Sequence, residues 1–211
     1  MLGLICLPSS SFLYNKTMDY KDFEANKEKC RDCSVGLVYN KVVLSDGCKI
    51  NPIVLIIGEC PGADEIVVGK PFVGKAGKLL RSTLNQFGYN KGNSLITNTI
   101  PCRPQDNKFP VDSKLVDDCV YNWLRIEIEI TKPKYLLLIG ATPMKFLLGK
   151  MGITSLRGKW YSYNNIPCMP TYHPSYVLRK QYMDEGDDIR EAFKMDISEV
   201  ARKAGFKPLS V

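Results

Sequence analysis

The chain alternates two hydrophobic rhythms. Ile53-Val-Leu-Ile-Ile57 is an unbroken apolar run closed by Gly58, as expected of a strand buried on both faces. Tyr135-Leu-Leu-Leu-Ile139 repeats the pattern before a second glycine, and a helix near Pro143 to Leu148 follows it. Leu95-Ile-Thr97 predicts a short strand. Between the strands, Ala76 to Gly88 carries apolar residues at 79, 80, 84 and 87, a helical spacing that Gly88 can terminate. Val111 to Ile130 predicts a long helix capped by Asp112 or Ser113. Trp160 to Tyr163 and Pro167 to Pro170 predict edge strands or strand-like pieces, and Ser175 to Lys180 and Asp188 to Ala204 predict helices. There is no internal repeat or low-complexity linker. The alternation predicts an α/β fold, a three-layer α/β/α sandwich on a central, mostly parallel sheet. Such sheets hold ligands beyond the carboxyl ends of their strands. The segments after Ile57, Thr97 and Ile139, and the loop holding His173, are therefore expected to share one edge.

A chain of 211 residues suits one sizeable domain, expected over residues 19–211. Residues 1–18 lack a basic n-region and a clear cleavage site, so a loosely ordered extension is expected there, not a signal peptide. No run of about 18 apolar residues occurs, so no membrane partner is expected. The net charge of +7 favours a polyanion such as nucleic acid. Eight cysteines in a chain able to build its own core point to a reducing, intracellular compartment, with some thiols binding metal. Cys30-Arg-Asp-Cys33 is a C-x2-C pair, and Cys102 and Cys119 lie further on. Four thiolates suit zinc or a [4Fe–4S] cluster, and spacing does not separate the two.

The stretch GECPGADEIVVGKPFVGKAG, residues 58–77, contains GKPFVGKA, close to the phosphate-loop pattern. That reading fails on three counts. The preceding strand ends at Ile57, eleven or more residues before Gly69; Ala76 replaces the metal-binding hydroxyl; Pro71 and Phe72 occupy the backbone cradle. What remains is an acid, tight glycine turns and an aromatic beyond a strand end.

This stretch resembles the signature GExPGxxEDxxGxPFVGxAGxLL of the iron–sulfur, family 4 uracil-DNA glycosylases. Thr97-Asn98-Thr-Ile-Pro-Cys102-Arg103-Pro104 resembles that family's TNxxKCRPP, with Asn107 at the position of its following asparagine, and His173-Pro-Ser-Tyr-Val-Leu-Arg179 resembles HPxYLLR. The likeness extends from about Cys30 to about Arg202. It implies a uracil-DNA glycosylase that flips uracil out of DNA and hydrolyses its glycosidic bond, acting as a monomer on single- or double-stranded DNA. It also implies that Cys30, Cys33, Cys102 and Cys119 hold a [4Fe–4S] cluster.

By the same resemblance, Phe72 stacks on the base and Asn98 reads its edge. His173 donates to the oxygen on which charge develops. Glu59 lies in the uracil pocket and Glu65 contributes to the catalytic or supporting polar network; either acid is a candidate to orient water, with Asn107 assisting. Arg103, Lys108, Arg157, Lys159 and Arg179 are candidate DNA contacts, and Leu178 or Arg179 fills the gap left by the flipped base. Without the motifs, Phe72 reads as core, Asn98 as a turn residue and His173 as a cap before Pro174. Two residues depart from the pattern. Cys60 replaces a small residue beside the uracil pocket, and Ile66 replaces an aspartate. These departures motivate an alternative, a catalytically weak DNA-binding module of the same fold. A covalent-linkage variant needs a second histidine, and the chain has one.

Overall fold

The computed structural model describes residues 18–108 and 113–209; the expectations for residues 1–17 and for Val111 and Asp112 lie outside them. Helices α1 (Tyr20–Glu28) and α2 (Ser34–Val38) precede the short strand β1 (Asp46–Gly47). Strand β2 (Val54–Gly58) is followed by α3 (Ala63–Val68), α4 (Lys75–Gln86) and β3 (Ser94–Asn98). A 3-10 turn at Gln105–Asn107 leads to α5 (Ser113–Cys119), which continues through a π turn at Val120–Leu124 into α6 (Arg125–Thr131). Then come β4 (Tyr135–Ile139), α7 (Ala141–Leu148), α8 (Ile153–Leu156), β5 (Tyr161–Tyr163), β6 (Ile166–Thr171), α9 (Pro174–Lys180) and α10 (Gly186–Ala204).

The strands form one sheet in the order β1-β3-β2-β4-β6-β5. β3, β2, β4 and β6 are parallel, and β1 and β5 close the edges antiparallel. Side-chain alternation splits the apolar residues between two cores. Leu55, Ile57, Leu95, Leu136 and Leu138 face α1, the α5–α6 rod and α7. Val54, Ile56, Ile96, Leu137 and Ile139 face α4, α9 and α10. This is the expected α/β/α sandwich.

The sequence pattern misplaced some details. Ile166–Thr171 is an inner strand between β4 and β5, not an edge, although two prolines without ladder donors sit in it. The six-residue α3 escaped detection because Val67 and Val68 are exposed and leave no apolar stripe. The rod over α5–α6 is one helix, as expected, but interrupted by the π turn directly after Cys119.

The chain runs from β2 to its neighbour β3, then crosses to β4 on the other side of β2. That reversal parts the loops at the carboxyl end of β2 and opens a crevice there. Below it, on the α1 and α6 face, lies a buried charge. Glu127 is 0% exposed and its Oε2 meets Lys27 Nζ, itself 2% exposed, at 2.9 Å. The same carboxylate accepts hydrogen bonds from Tyr20 Oη at 2.7 Å, from Thr97 Oγ1 at 2.9 Å and from Ser45 Oγ. Lys27 and these hydroxyls hold the Glu127 carboxyl below its usual range against the opposing effect of burial.

Glu127→Ala strands a buried ammonium and three hydroxyls. The expected cost is about 3–5 kcal/mol, read as a lower midpoint in urea unfolding. The double variant Lys27→Met/Glu127→Leu should recover most of it, because no unpaired charge remains.

Candidate active site

Four parallel strands end at one rim, and the side chains just beyond them line a cavity of about 350 Å3. That volume lies in the range of small-molecule sites. Glu59 and Cys60 enter from the end of β2, Asn98 from the last residue of β3, Phe72 and Glu65 from the glycine-rich loop, and His173 and Ser175 from beyond β6. Six residues singled out from sequence, Glu59, Cys60, Glu65, Phe72, Asn98 and His173, are thus brought together.

Strand alternation decides what Asn98 faces. Thr97 points to the Glu127 side, so Asn98 points to the other face, where Phe72 lies. Gly58 is the register partner of Asn98. A Cβ on Gly58 would sit 2.4 Å from Phe72 Cζ and 2.5 Å from Asn98 Oδ1, so only glycine lets the ring and the amide close over the strand end. Asn98 is 6% exposed, and its Oδ1 is a buried side-chain oxygen with no hydrogen-bond partner. A buried acceptor left unmatched costs about 1–3 kcal/mol, which a ligand N–H would recover.

Phe72 is held in a conformation that bulky residues avoid, with φ at +54°. Arg81 clamps it, donating from Nε to Phe72 O at 2.9 Å and from Nη2 to Pro71 O at 2.7 Å while pairing with Asp46 at 2.9 Å. Helix α4 rests directly on this turn: a Cβ on Gly77 would lie 2.0 Å from Phe72 C. The ring centroid stands 6.1 Å from that of His173.

The two motif acids have different surroundings. Glu65 is buried, and both of its oxygens accept from backbone: Gly62 N–H at 3.0 Å, Val73 N–H at 2.8 Å and Gly74 N–H at 2.9 Å. It ties the amino ends of α3 and α4 together, where a negative charge is favoured. The sequence reading grouped it with the catalytic acids; the structure engages it in the loop's own backbone. Glu59 Oε2 instead accepts from Thr142 Oγ1, and its Oε1 lies 4.0 Å from Cys60 Sγ. Burial, reinforced by Glu59 and Glu65, pushes the Cys60 thiol up to about 12, so it is a protonated thiol.

His173 caps α9 and also lines the cavity. Its Nδ1 accepts from Ser175 N–H at 3.2 Å and lies 2.7 Å from Ser175 Oγ, which takes a hydrogen bond from Arg179 Nη1 at 3.3 Å. Burial, with Arg179 adding to it, lowers the imidazole to about 4. At neutral pH the ring is uncharged. Since Nδ1 accepts, the proton sits on Nε2, which is a donor.

A second cavity of about 320 Å3 shares Glu59, His173 and Ser175 with the first and is lined further by Tyr172, Tyr176 and Arg179. Of the other candidates, Arg103 stacks over Tyr39 at 4.7 Å, and Lys108 and Lys159 are exposed. Leu178 is half-buried on α9, outside both cavities, and Asn107 ends the 3-10 turn. Arg157 pairs with Asp196 through Nε at 2.6 Å and through Nη2, donates to Ala192 O at 2.9 Å and lies over Tyr172. The pair links the segment before β5 to α10. Ile66 lies outside the cavities, whereas Cys60 lines the first. Sequence reasoning missed Thr142, Ser175 and Arg81. Ser175 stood inside the quoted HPS motif; the other two carried no signal, because their partners are distant in sequence.

The four cysteines singled out for metal fall in one neighbourhood. Cys102 feels Cys30 and Cys33, and Cys119 feels Cys102, Cys30 and Cys33. Burial raises Cys119 and pushes Cys102 up to about 12. A Cβ on Gly36 would lie 3.8 Å from Cys102 Sγ. Among the described residues, no three His, Cys, Asp or Glu side chains converge closely enough to hold a single metal ion, and the seven described cysteines are free thiols.

A parallel-sheet crevice with an aromatic wall, an unmatched amide oxygen and a neutral imidazole defines a pocket for a flat, polar-edged ring. The sequence model of the uracil DNA glycosylase superfamily matches residues 44–195, and the chain belongs to that superfamily. It is 33% identical over 159 residues to the Type-4 uracil-DNA glycosylase of Thermotoga maritima, covering 73% of this chain and 80% of that protein. It is 31% identical over 205 residues to that of Saccharolobus solfataricus, covering 92% and 91%. It is 33% identical over 172 residues to that of Pyrobaculum aerophilum, covering 77% and 86%.

The unfolded chain protonates its histidine near the ordinary 6.5, the folded chain only near 4. Between those values the unfolded state binds more protons, so the stability due to the neutral ring is complete above about pH 6.5 and is lost as pH falls through about 4. Because His173 is the chain's only histidine, an imidazole 15N NMR titration reads it directly. A midpoint near 4 with the Nε2–H tautomer at neutral pH is expected; a midpoint at 6.5 or above contradicts the neutral-donor geometry.

Proposed function

We propose that this chain is a uracil-DNA glycosylase of base-excision repair, which swings uracil out of DNA and hydrolyses its N-glycosidic bond with water to leave an abasic site. The observation that carries this reading is the buried, unpartnered Oδ1 of Asn98, a residue that lines the same cavity as Phe72. Uracil N3–H matches that acceptor, and its O4 suits the amide's own N–H2. Cytosine presents an acceptor at N3 and a donor at its exocyclic amine, so both contacts would be reversed. Phe72 supplies the stacking face, and its strained turn, clamped by Arg81, keeps the slot from closing before the base arrives.

As the bond to the sugar breaks, negative charge collects on the base at O2. The His173 Nε2–H donates there without transferring its proton, because a neutral, fixed donor needs no reorganisation. Ser175 holds the ring's other nitrogen and so fixes the tautomer. Glu59, at the partition between the two cavities, steadies the cation-like sugar and orients the attacking water. Glu65 braces the loop that carries Phe72. Arg179, at the mouth of the second cavity, and the exposed Lys108 and Lys159 suit the phosphate backbone, and Leu178 or Arg179 the gap left in the duplex. A net charge of +7 suits DNA, single- or double-stranded. We place the chain as a monomer in an intracellular DNA compartment; among the described residues no helix is long and apolar enough to cross a membrane.

The donor set of Cys30, Cys33, Cys102 and Cys119 fits a [4Fe–4S] cluster. The four thiols lie near enough to interact electrostatically, and thiolates are the ligands such clusters take. Bound there, the cluster supplies a cross-link, not chemistry at the base. Cys30 and Cys33 would fasten the segment after α1 to Cys102 beyond β3 and Cys119 at the π turn.

Release of uracil from a duplex bearing a single uracil tests the function. Wild type should leave an alkali-labile site, and His173→Ala should slow release by about 10²–10³-fold. Asn98→Ala should also lose activity; normal release by both variants ends the proposal. Purified wild type should be brown and contain iron that Cys102→Ser fails to retain, whereas a colourless protein with stoichiometric zinc removes the cluster.

A further inference from the structure

Glu59 lies at the partition between the two cavities, and a carboxylate acts on water only if one oxygen is held while the other stays available. The holding group comes from a distant part of the chain. Thr142 sits in the first turn of α7, 83 residues from Glu59, and its hydroxyl donates to Glu59 Oε2. Thr142 itself lines neither cavity, whereas Glu59 lines both. The hydroxyl thus holds one carboxylate oxygen from a residue outside both cavities. Glu59 Oε1 lies 4.0 Å from the sulfur of Cys60, which lines the first cavity. The Cys60 thiol stays protonated, so it adds no second negative charge against Oε1.

We propose that Thr142 is the positioning residue of the hydrolysis: its hydroxyl fixes Glu59 Oε2 and leaves Oε1 facing the reaction space. The inference rests on the glycosylase reading and on Glu59 as the water-orienting acid. Without the hydroxyl, the half-buried carboxylate keeps its place just beyond β2 but loses its aim.

The test compares Thr142→Val, which keeps shape and removes the hydroxyl, with Thr142→Ala and with the rescuing Thr142→Ser. Single-turnover uracil release should fall by about ten- to a hundredfold in the Val and Ala variants, the range for a hydrogen bond to a charged group. Affinity for uracil-containing DNA should stay within about twofold, since Thr142 touches neither cavity's occupant. Thr142→Ser should restore the rate, and the loss in Val and Ala should fall on the single-turnover rate constant and not on KM. A residue that merely packs α7 gives the opposite order, because Val keeps the shape and Ser lacks the methyl group. Wild-type rate in Val and Ala overturns the inference. Glu59→Gln separates the two claims: if it releases uracil at the wild-type rate, the role of Glu59 falls, and the Thr142 inference with it. If Glu59→Gln is slow and Thr142→Val is not, only Thr142 is wrong.

Discussion

The site depends on one close approach. At the end of β2, the missing side chain of Gly58 lets the Phe72 ring and the Asn98 amide meet over the backbone, at separations where any Cβ would collide with both. Asn98, Phe72 and His173 line the cavity around this gap. Arg81 holds the Phe72 turn from outside, α4 presses on it through Gly77, and Thr99 ties the next step of the chain to Gly58 O through both its N–H and its hydroxyl. The strained Phe72 turn is thus braced by Arg81 and by α4.

The two glutamates of the glycine-rich loop illustrate how identical chemistry is divided by geometry. Glu65 accepts three backbone donors on its two oxygens. Glu59, six residues earlier, is held on one side by a hydroxyl from across the sheet and borders both cavities. His173 is handled similarly: its Nδ1 is occupied by Ser175, so the free nitrogen is the donor. In each case a neighbouring group fixes one atom of the functional side chain and so defines the task of the other.

Beneath the site, the opposite face of β3 carries a buried charge network. Lys27 and Glu127 are worth little as a pair in a dry interior unless every remaining valence is met, and here Tyr20, Ser45 and Thr97 meet them. The network joins α1 to α6 and to the residue before Asn98. Cys30 follows Lys27 by one turn, its N–H bonded to Lys27 O. Cys30 and Cys119 pack on this face of the sheet, opposite the core that holds Phe72.

Much of this was legible in the chain. Buried parallel strands announce themselves as apolar runs closed by glycine, and β2 and β4 did so because both of their faces are covered. The spaced motifs identified Glu59, Phe72, Asn98 and His173 as a set, since short loops after parallel strands must share a rim. Helix α3 left no periodic signal because its apolar residues face solvent, and the inner position of β6 was hidden because strand order is not written in any local pattern. The pairing of Arg157 with the buried Asp196, 39 residues away, was equally invisible to a local reading. Likewise Thr142, Arg81 and the division between Glu59 and Glu65 arise only from contacts between distant segments. Sequence by itself determined which chemical groups reach the rim, because the period of the backbone sets side and spacing. Tertiary structure alone decided which atoms of those groups remain unsatisfied, because that depends on partners brought close only by folding.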